Sequence, residues 1–248
     1  MSESITPGAR GPIDEKHAYA AQLRANLARA KVLRQSANSD PRDAYDRLRL
    51  REWQASRLAR THADLLASPR FGPAAAFFLS DLYGPKDFSE RDHEVERIVP
   101  TLIALLPAAA ICTISQAIEV DALSEELDAA MVEELRRAGA IGCITGPAYA
   151  EAYRRCDNHE LRERQIMLIR EVGESLDRLT RKPLVGAALR MMRAPAQLAG
   201  LGELHAFLDL GYSTFRRMGS AEEFLRIIVE RETRLMNDIW KGRNVGIE

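Results

Sequence analysis

The sequence predicts an all-α fold, a multi-helix bundle of about ten helices joined by short loops. Three observations predict it. Apolar residues recur three and four positions apart along nearly every segment. No run of useful length alternates apolar and polar residues as a half-buried strand does. Proline and glycine punctuate the chain where helices should stop and restart, with Ser, Thr, Asp or Asn close to the predicted starts.

Taken in order, "MSESITPGARGPIDEK" opens polar and lacks the apolar segment of a secretory signal, so residues 1–13 read as a flexible tail. A single helical domain is expected over 14–242, with "AIGCITG" near 140–146 the one place for a subdivision. The first helix covers 14–36, with Ala20, Leu23, Leu27 and Ala30 along one side. Asp40 then precedes Pro41, a cap followed by the proline favoured at the first helical position. "RDAYDRLRLREWQASRLARTHADLLAS" predicts one long helix ending near Ser68–Pro69, and its loosely spaced apolar residues predict partial exposure.

A short helix follows Pro73 and stops at Gly84–Pro85, where glycine permits a left-handed cap and proline forbids continuation. Asp87 or Ser89 then caps a new helix in "DFSERDHEVERIV". "SEELDAAMVEELRRAG" predicts a helix from a Ser124 cap to a Gly139 stop, and "TGPAYAEAYRRC" a short one with Pro147 in its first turn. Leu161, Leu168, Val172, Leu176 and Leu179 form a seam at heptad-like spacing in the next helix. Pro183 and Pro195 each begin a further helix. The last opens on Ser220 with Glu223 three later, a capping box, and ends at Gly242.

Composition narrows the function classes. The formal net charge is −1, so no global field draws nucleic acid or anionic lipid. Of the 35 basic residues 30 are Arg, and in "DPRDAYDRLRLRE" they alternate with acids, which reads as a solvated, salt-bridged helix face. Cys112, Cys143 and Cys156 are too few and too scattered for a disulfide framework or a Cys-rich zinc site, and fit a reducing cytoplasm. Residues 98–118 run 21 positions without a charge, long enough to cross a bilayer. Prolines, threonines, Ser115 and Gln116 interrupt that run, and a helix buried in a soluble bundle is the expected reading, with no membrane partner. Few aromatics and no basic–aromatic interleaving argue against nucleic acid.

No motif carries chemistry outright. Phosphate-binding glycine loops are absent; "GLG" at 200–202 and Gly211 read as sites of close helix approach. Glu90 and His93 make one Glu-x-x-His motif, but a di-metal bundle needs two. His62 and His205 sit among apolar positions and face the interior, as core histidines or as ligands. Cys112 lies in an apolar run that disfavours a thiolate. The break at "LYGPKDFSERD" is read first as a joint between helices; as a site, Tyr83, Lys86 and Asp87 would project together toward a partner. The binding candidates are therefore Tyr83, Lys86, Asp87, His93 and His205; no catalytic residue, metal ligand set or cofactor is assigned.

At "FFLSDLYGPKDFSERD" the chain resembles a bacterial family named for its signature, the FFLEELY-motif proteins. The match rests on Phe77, Phe78, Leu79, Leu82 and Tyr83, with Ser80 and Asp81 standing where the signature has Glu. Gly84–Phe88 and "FLDLGYSTFRRMG" at 207–219 are similar too, over a span of most of 15–242. The resemblance implies no activity and no site residue. Two readings follow from the residues themselves. In the first, the chain is a cytoplasmic protein, not an enzyme, that binds another protein or itself through its amphipathic helices. In the second, it is a helical-bundle enzyme or carrier whose apolar pocket accepts a small apolar ligand, with a metal or haem if His62, His93 and His205 share a cavity.

Overall fold

A computed structural model of the chain describes residues 12–82, 97–100, 103 and 108–243. Among them every regular element is helical, and there is no strand. The helices are α1 (Pro12–Ser39), α2 (Pro41–Thr61), α3 (Ala63–Ala67), α4 (Gly72–Phe77), α5 (Ala108–Arg137), α6 (Gly146–Arg155), α7 (His159–Thr180), α8 (Pro183–Leu198), α9 (Gly202–Met218) and α10 (Glu222–Trp240), with a π-helical turn over Phe78–Leu82 after α4.

Local chemistry set several of these ends as expected. The Asp40 side chain accepts from the Arg42 amide at 2.9 Å, and Pro41 opens α2. Thr145 Oγ1 accepts from the Ala148 amide at 3.4 Å to start α6. Gly139 takes φ +65°, the left-handed stop that a side chain resists. Tertiary packing overrode local signals elsewhere. Helix α1 begins at Pro12, inside the expected tail, and runs to Ser39 because Ala30, Arg34 and Ala37 stay buried along its length. The long helix expected up to Ser68 breaks at His62, a buried residue with φ −116° and ψ 26°.

Ser124 caps nothing. It lies within the 30-residue α5, its hydroxyl donating to the Val120 carbonyl one turn back at 2.7 Å. Pro195 likewise sits inside α8, in the last turn, where a single lost hydrogen bond is tolerated. The capping box at Ser220 is not formed: Ser220 Oγ meets the Glu222 amide, and the Glu223 carboxylate pairs with Arg70 at 3.0 Å instead. The joint expected at Gly84–Pro85, with its Asp87 or Ser89 cap, lies outside the described residues.

Helix α5 is the axis of the bundle: α1 lies along it, and α7 packs on it. Among the described residues four apolar clusters form. One gathers Leu50, Met131, Leu135, Tyr149, Tyr153 and Ile239 from α2, α5, α6 and α10. A second gathers Leu65, Phe77, Phe78, Phe215 and Phe224 around α3, α4, α9 and α10. The third joins Leu23 of α1 to Val99, Ile111 and Leu204; the fourth joins Leu123 and Leu127 to Leu168 of α7. Val99 and Ile111, both in the uncharged 98–118 run, thus pack in a protein core, and among the described residues no helix is long and apolar enough to cross a membrane. Of the seam predicted on α7, Leu168 alone is fully buried, while Leu161 stays exposed.

Phe77 and Phe78 are both buried, Phe77 tilted against Phe207 and Phe78 against Phe215 and Phe224. Gly211 serves the expected close approach: a Cβ there would stand 3.1 Å from Phe77 Cζ. Gly200 does not; it turns the chain at φ +67° between α8 and α9.

Candidate functional site

Charge, not only hydrocarbon, fills the middle of the bundle. Positions 47, 51, 54 and 58 of α2 fall on one stripe at helical period, and so do 121, 125 and 128 of α5. The two stripes face each other. Glu125, 4% exposed, receives Arg51 Nη2 at 2.6 Å and Arg34 Nε at 3.2 Å on Oε1, and Arg47 Nη1 at 3.1 Å on Oε2. Asp128 receives Arg51 Nε at 3.0 Å and Gln54 Nε2 at 3.2 Å, while Arg34 Nη2 bonds Asp121. The arginine-rich stretch read as a solvated, salt-bridged face is salt-bridged but only partly solvated: Asp40, Arg42 and Glu52 are exposed, while Asp46 and Arg47 are buried. Long stems that pack like hydrocarbon, with acids from a second helix waiting at their heads, make that possible.

A second knot ties α2 to α10. Arg57 Nη1 donates to both oxygens of Glu232, at 2.8 and 2.6 Å, and His62 Nε2 lies 2.9 Å from Glu232 Oε1. Burial pushes the Glu232 carboxyl up, but the Arg57 charge and the bonds from His62 and Arg57 outweigh it and lower the carboxyl to about 2. Burial lowers the Arg57 guanidinium in the same way, and the Glu232 charge beside it wins, leaving it raised.

Between these knots lies a cavity of about 150 Å³. Its wall includes Arg51, Arg57, Glu125 and Glu232 together with Leu65, Phe78, Ile166, Ile169 and Ile228. The signature-like "FFL" reaches it, since Phe78 and Leu79 form part of the wall. The π-helical turn that starts at Phe78 is a device that recurs at functional sites.

Arg162 lines the same cavity from α7, one turn before Gln165, Ile166 and Ile169 on the same helix face. It is 6% exposed, its guanidinium carbon lies 4.6 Å over the Tyr153 ring, and its Nε and Nη2 have no hydrogen-bond partner. Arg47 and Arg57 also leave Nε unpartnered, but each is held through Nη1 by a carboxylate. Among the described residues no carboxylate pairs with Arg162. Around the cavity Arg34, Arg47, Arg51 and Arg57 each meet Asp121, Glu125, Asp128 or Glu232, and Arg162 adds a guanidinium that no described carboxylate pairs. A buried unpaired charge costs several kcal/mol or more.

A pocket exists, and its wall is mixed: seven of its 21 lining residues are Arg, Asp or Glu, and the rest are mainly apolar. Of the five binding candidates, Tyr83, Lys86, Asp87 and His93 lie outside the described residues. His205 is half-buried, its Nε2 2.8 Å from the Leu189 carbonyl, and it does not line the cavity that His62 lines. Described residues hold no group of three or more His, Cys, Asp or Glu able to bind a metal ion. Burial raises the Cys112 thiol, as its apolar run implied, and raises Cys156 to about 11.

Sequence reasoning missed Arg51, Arg57, Glu125, Arg162 and Glu232. The one available signal was the stripe itself: Arg47, Arg51 and Gln54 at i, i+4 and i+7 on one helix, and Asp121, Glu125 and Asp128 at the same spacing on the other. A family model described as Domain of unknown function (DUF8198) matches residues 33–245. No curated protein and no solved structure matches.

Proposed function

We propose, from the premise that this chain belongs to the DUF8198 domain family of unknown function, that it is a helical protein which binds a small organic acid inside its bundle. One observation carries the reading: Arg162, buried and with no carboxylate partner among the described residues, belongs to the wall of a cavity. Its Nε and Nη2 form one edge of the guanidinium, and two parallel N–H groups on one edge match the two oxygens of a carboxylate. The apolar residues in the same wall favour an organic acid over an inorganic anion. At about 150 Å³ the cavity is well below the usual size of a drug-binding pocket and close to one that admits benzene, so the ligand is small. Within the resemblance drawn from the sequence, the reading also gives the FFLEELY-like stretch a role, as a wall of the cavity.

The test is a titration of the purified chain with short carboxylic acids, followed by thermal unfolding. Acids should raise the melting temperature of the wild type and not that of Arg162→Leu. Without ligand, Arg162→Leu should be as stable as the wild type or more so, because it removes an uncompensated buried charge. A strongly destabilised Arg162→Leu would show that the guanidinium is structural.

A second reading, self-association, has its own observation. Leu184, Met191 and Leu198 recur at seven-residue spacing on α8 and are 82%, 79% and 91% exposed. That spacing suits a helix pairing with a copy of itself.

A further inference from the structure

The inference rests on the reading just proposed and extends it to a second polar contact. Glu232 stays ionised to about pH 2, so near neutrality it only accepts hydrogen bonds. The hydrogen of its 2.9 Å contact with His62 therefore belongs to Nε2 of the imidazole. In a neutral imidazole the other nitrogen is then an acceptor. His62 Nδ1 is buried, has no partner among the described residues, and belongs to a side chain that lines the cavity. Arg162 and His62 thus each bring unmatched polar atoms to the cavity wall, a pair of donors on Arg162 and, with the imidazole neutral, an acceptor on His62, and Leu65, Ile166 and Ile169 belong to the same wall. A buried polar group left unpaired is costly, so a ligand that satisfies both ends is favoured over one that satisfies only the charge.

We infer that the cavity takes a small organic acid that also carries a hydrogen-bond donor, its carboxylate on the Nε–Nη2 edge of Arg162 and its hydroxyl or amino group on His62 Nδ1. The Glu232 carboxylate, locked by Arg57, acts here as a positioning group: it fixes the tautomer and the ring orientation of His62. Sequence position hides this pairing, because the three side chains come from the C-cap of α2, from α7 and from α10.

Matched acids test it on the full chain. Calorimetric titration uses propionate and isovalerate beside their 2-hydroxy, 3-hydroxy and 2-amino counterparts. At least one substituted acid should bind about tenfold tighter than its parent. His62→Gln keeps an N–H for Glu232 and replaces the rigid ring acceptor at the Nδ1 position with an amide oxygen held in a different geometry, so it should erase that difference while leaving the parent acid's affinity within about twofold. Arg162→Leu should lose both members of every pair. Independently of any variant, the ring Nδ1 nitrogen shift of His62 should move in the wild type on adding the tighter acid and stay put with its parent.

Equal affinity across every pair in the wild type overturns the inference and leaves the organic-acid reading standing; a water molecule then satisfies Nδ1. A preference that survives in His62→Gln overturns it as well. Inorganic phosphate binding more tightly than every acid overturns the ligand class. If no acid binds at all, the reading of Arg162 falls and this inference with it.

Discussion

Glu125 holds three arginines, Arg34, Arg47 and Arg51, in a position almost closed to water. Breaking one side of a buried ion network costs far more than the network contributes, because the remaining charges stay buried. Glu125→Gln should therefore lower unfolding stability by about 3–5 kcal/mol in urea denaturation. Glu232 adds a pH dependence whose sign is fixed. Its folded-state carboxyl lies at about 2 against an ordinary 4.5. The stabilisation is complete above the ordinary value and is lost as pH falls through the folded one. Stability should decline by about 3 kcal/mol between roughly pH 5 and pH 2, and this acid limb should flatten in Glu232→Gln. An acid limb unchanged in that variant would assign the loss to other carboxylates.

The elements meet where small residues let them. A Cβ on Gly72, at the start of α4, would stand 2.6 Å from the Leu66 carbonyl oxygen, and backbone cannot swing aside as a side chain can. Gly72→Ala should cost about 1–3 kcal/mol. Gly142, with nothing within 4 Å of its Cβ position, serves as control and should shift stability by less than about 0.5 kcal/mol as Ala. Phe77 closes the same corner from the other side, its ring edge-on to Phe78 and packed against Gly211. Phe77→Ala should cost about 3–5 kcal/mol by thermal or urea unfolding. At this scale much of the fold was legible. Asp40, Thr145 and Gly139 marked their helix ends from the sequence because a cap is satisfied within three or four residues. Ser124, Pro195 and Ser220 misled for the complementary reason: cap residues also tolerate other roles, and neighbours decide which.

For the molecule as a whole, the interior is divided. Members of two apolar clusters share the cavity wall with buried ion pairs, and Leu184, Met191 and Leu198 of α8 are exposed. If α8 pairs with a second copy, sedimentation at rising concentration should show dimers, and Leu184→Glu with Leu198→Glu should abolish them without changing acid binding in the cavity. A monomer at all concentrations would remove that reading and leave the cavity as the site of function.

The sequence by itself determined that the chain is helical, where most of its helices stop, and that the 98–118 run contributes to a core. These follow from periodicity and from bonds that close over a few residues. Tertiary structure alone decided what the arginines do. "DRLRLRE" has one meaning on a helix that faces water and the opposite meaning on one that faces Asp121, Glu125 and Asp128, more than seventy residues further along the chain. Whether a charge is solvated or buried depends on what lies across from it, and that is a property of packing, not of the stretch that carries it. The lone guanidinium of Arg162 is the extreme case. Its sequence neighbours, Glu160 and Glu163, supply charge enough to balance it on paper, and the helix turns them away from the cavity that it lines.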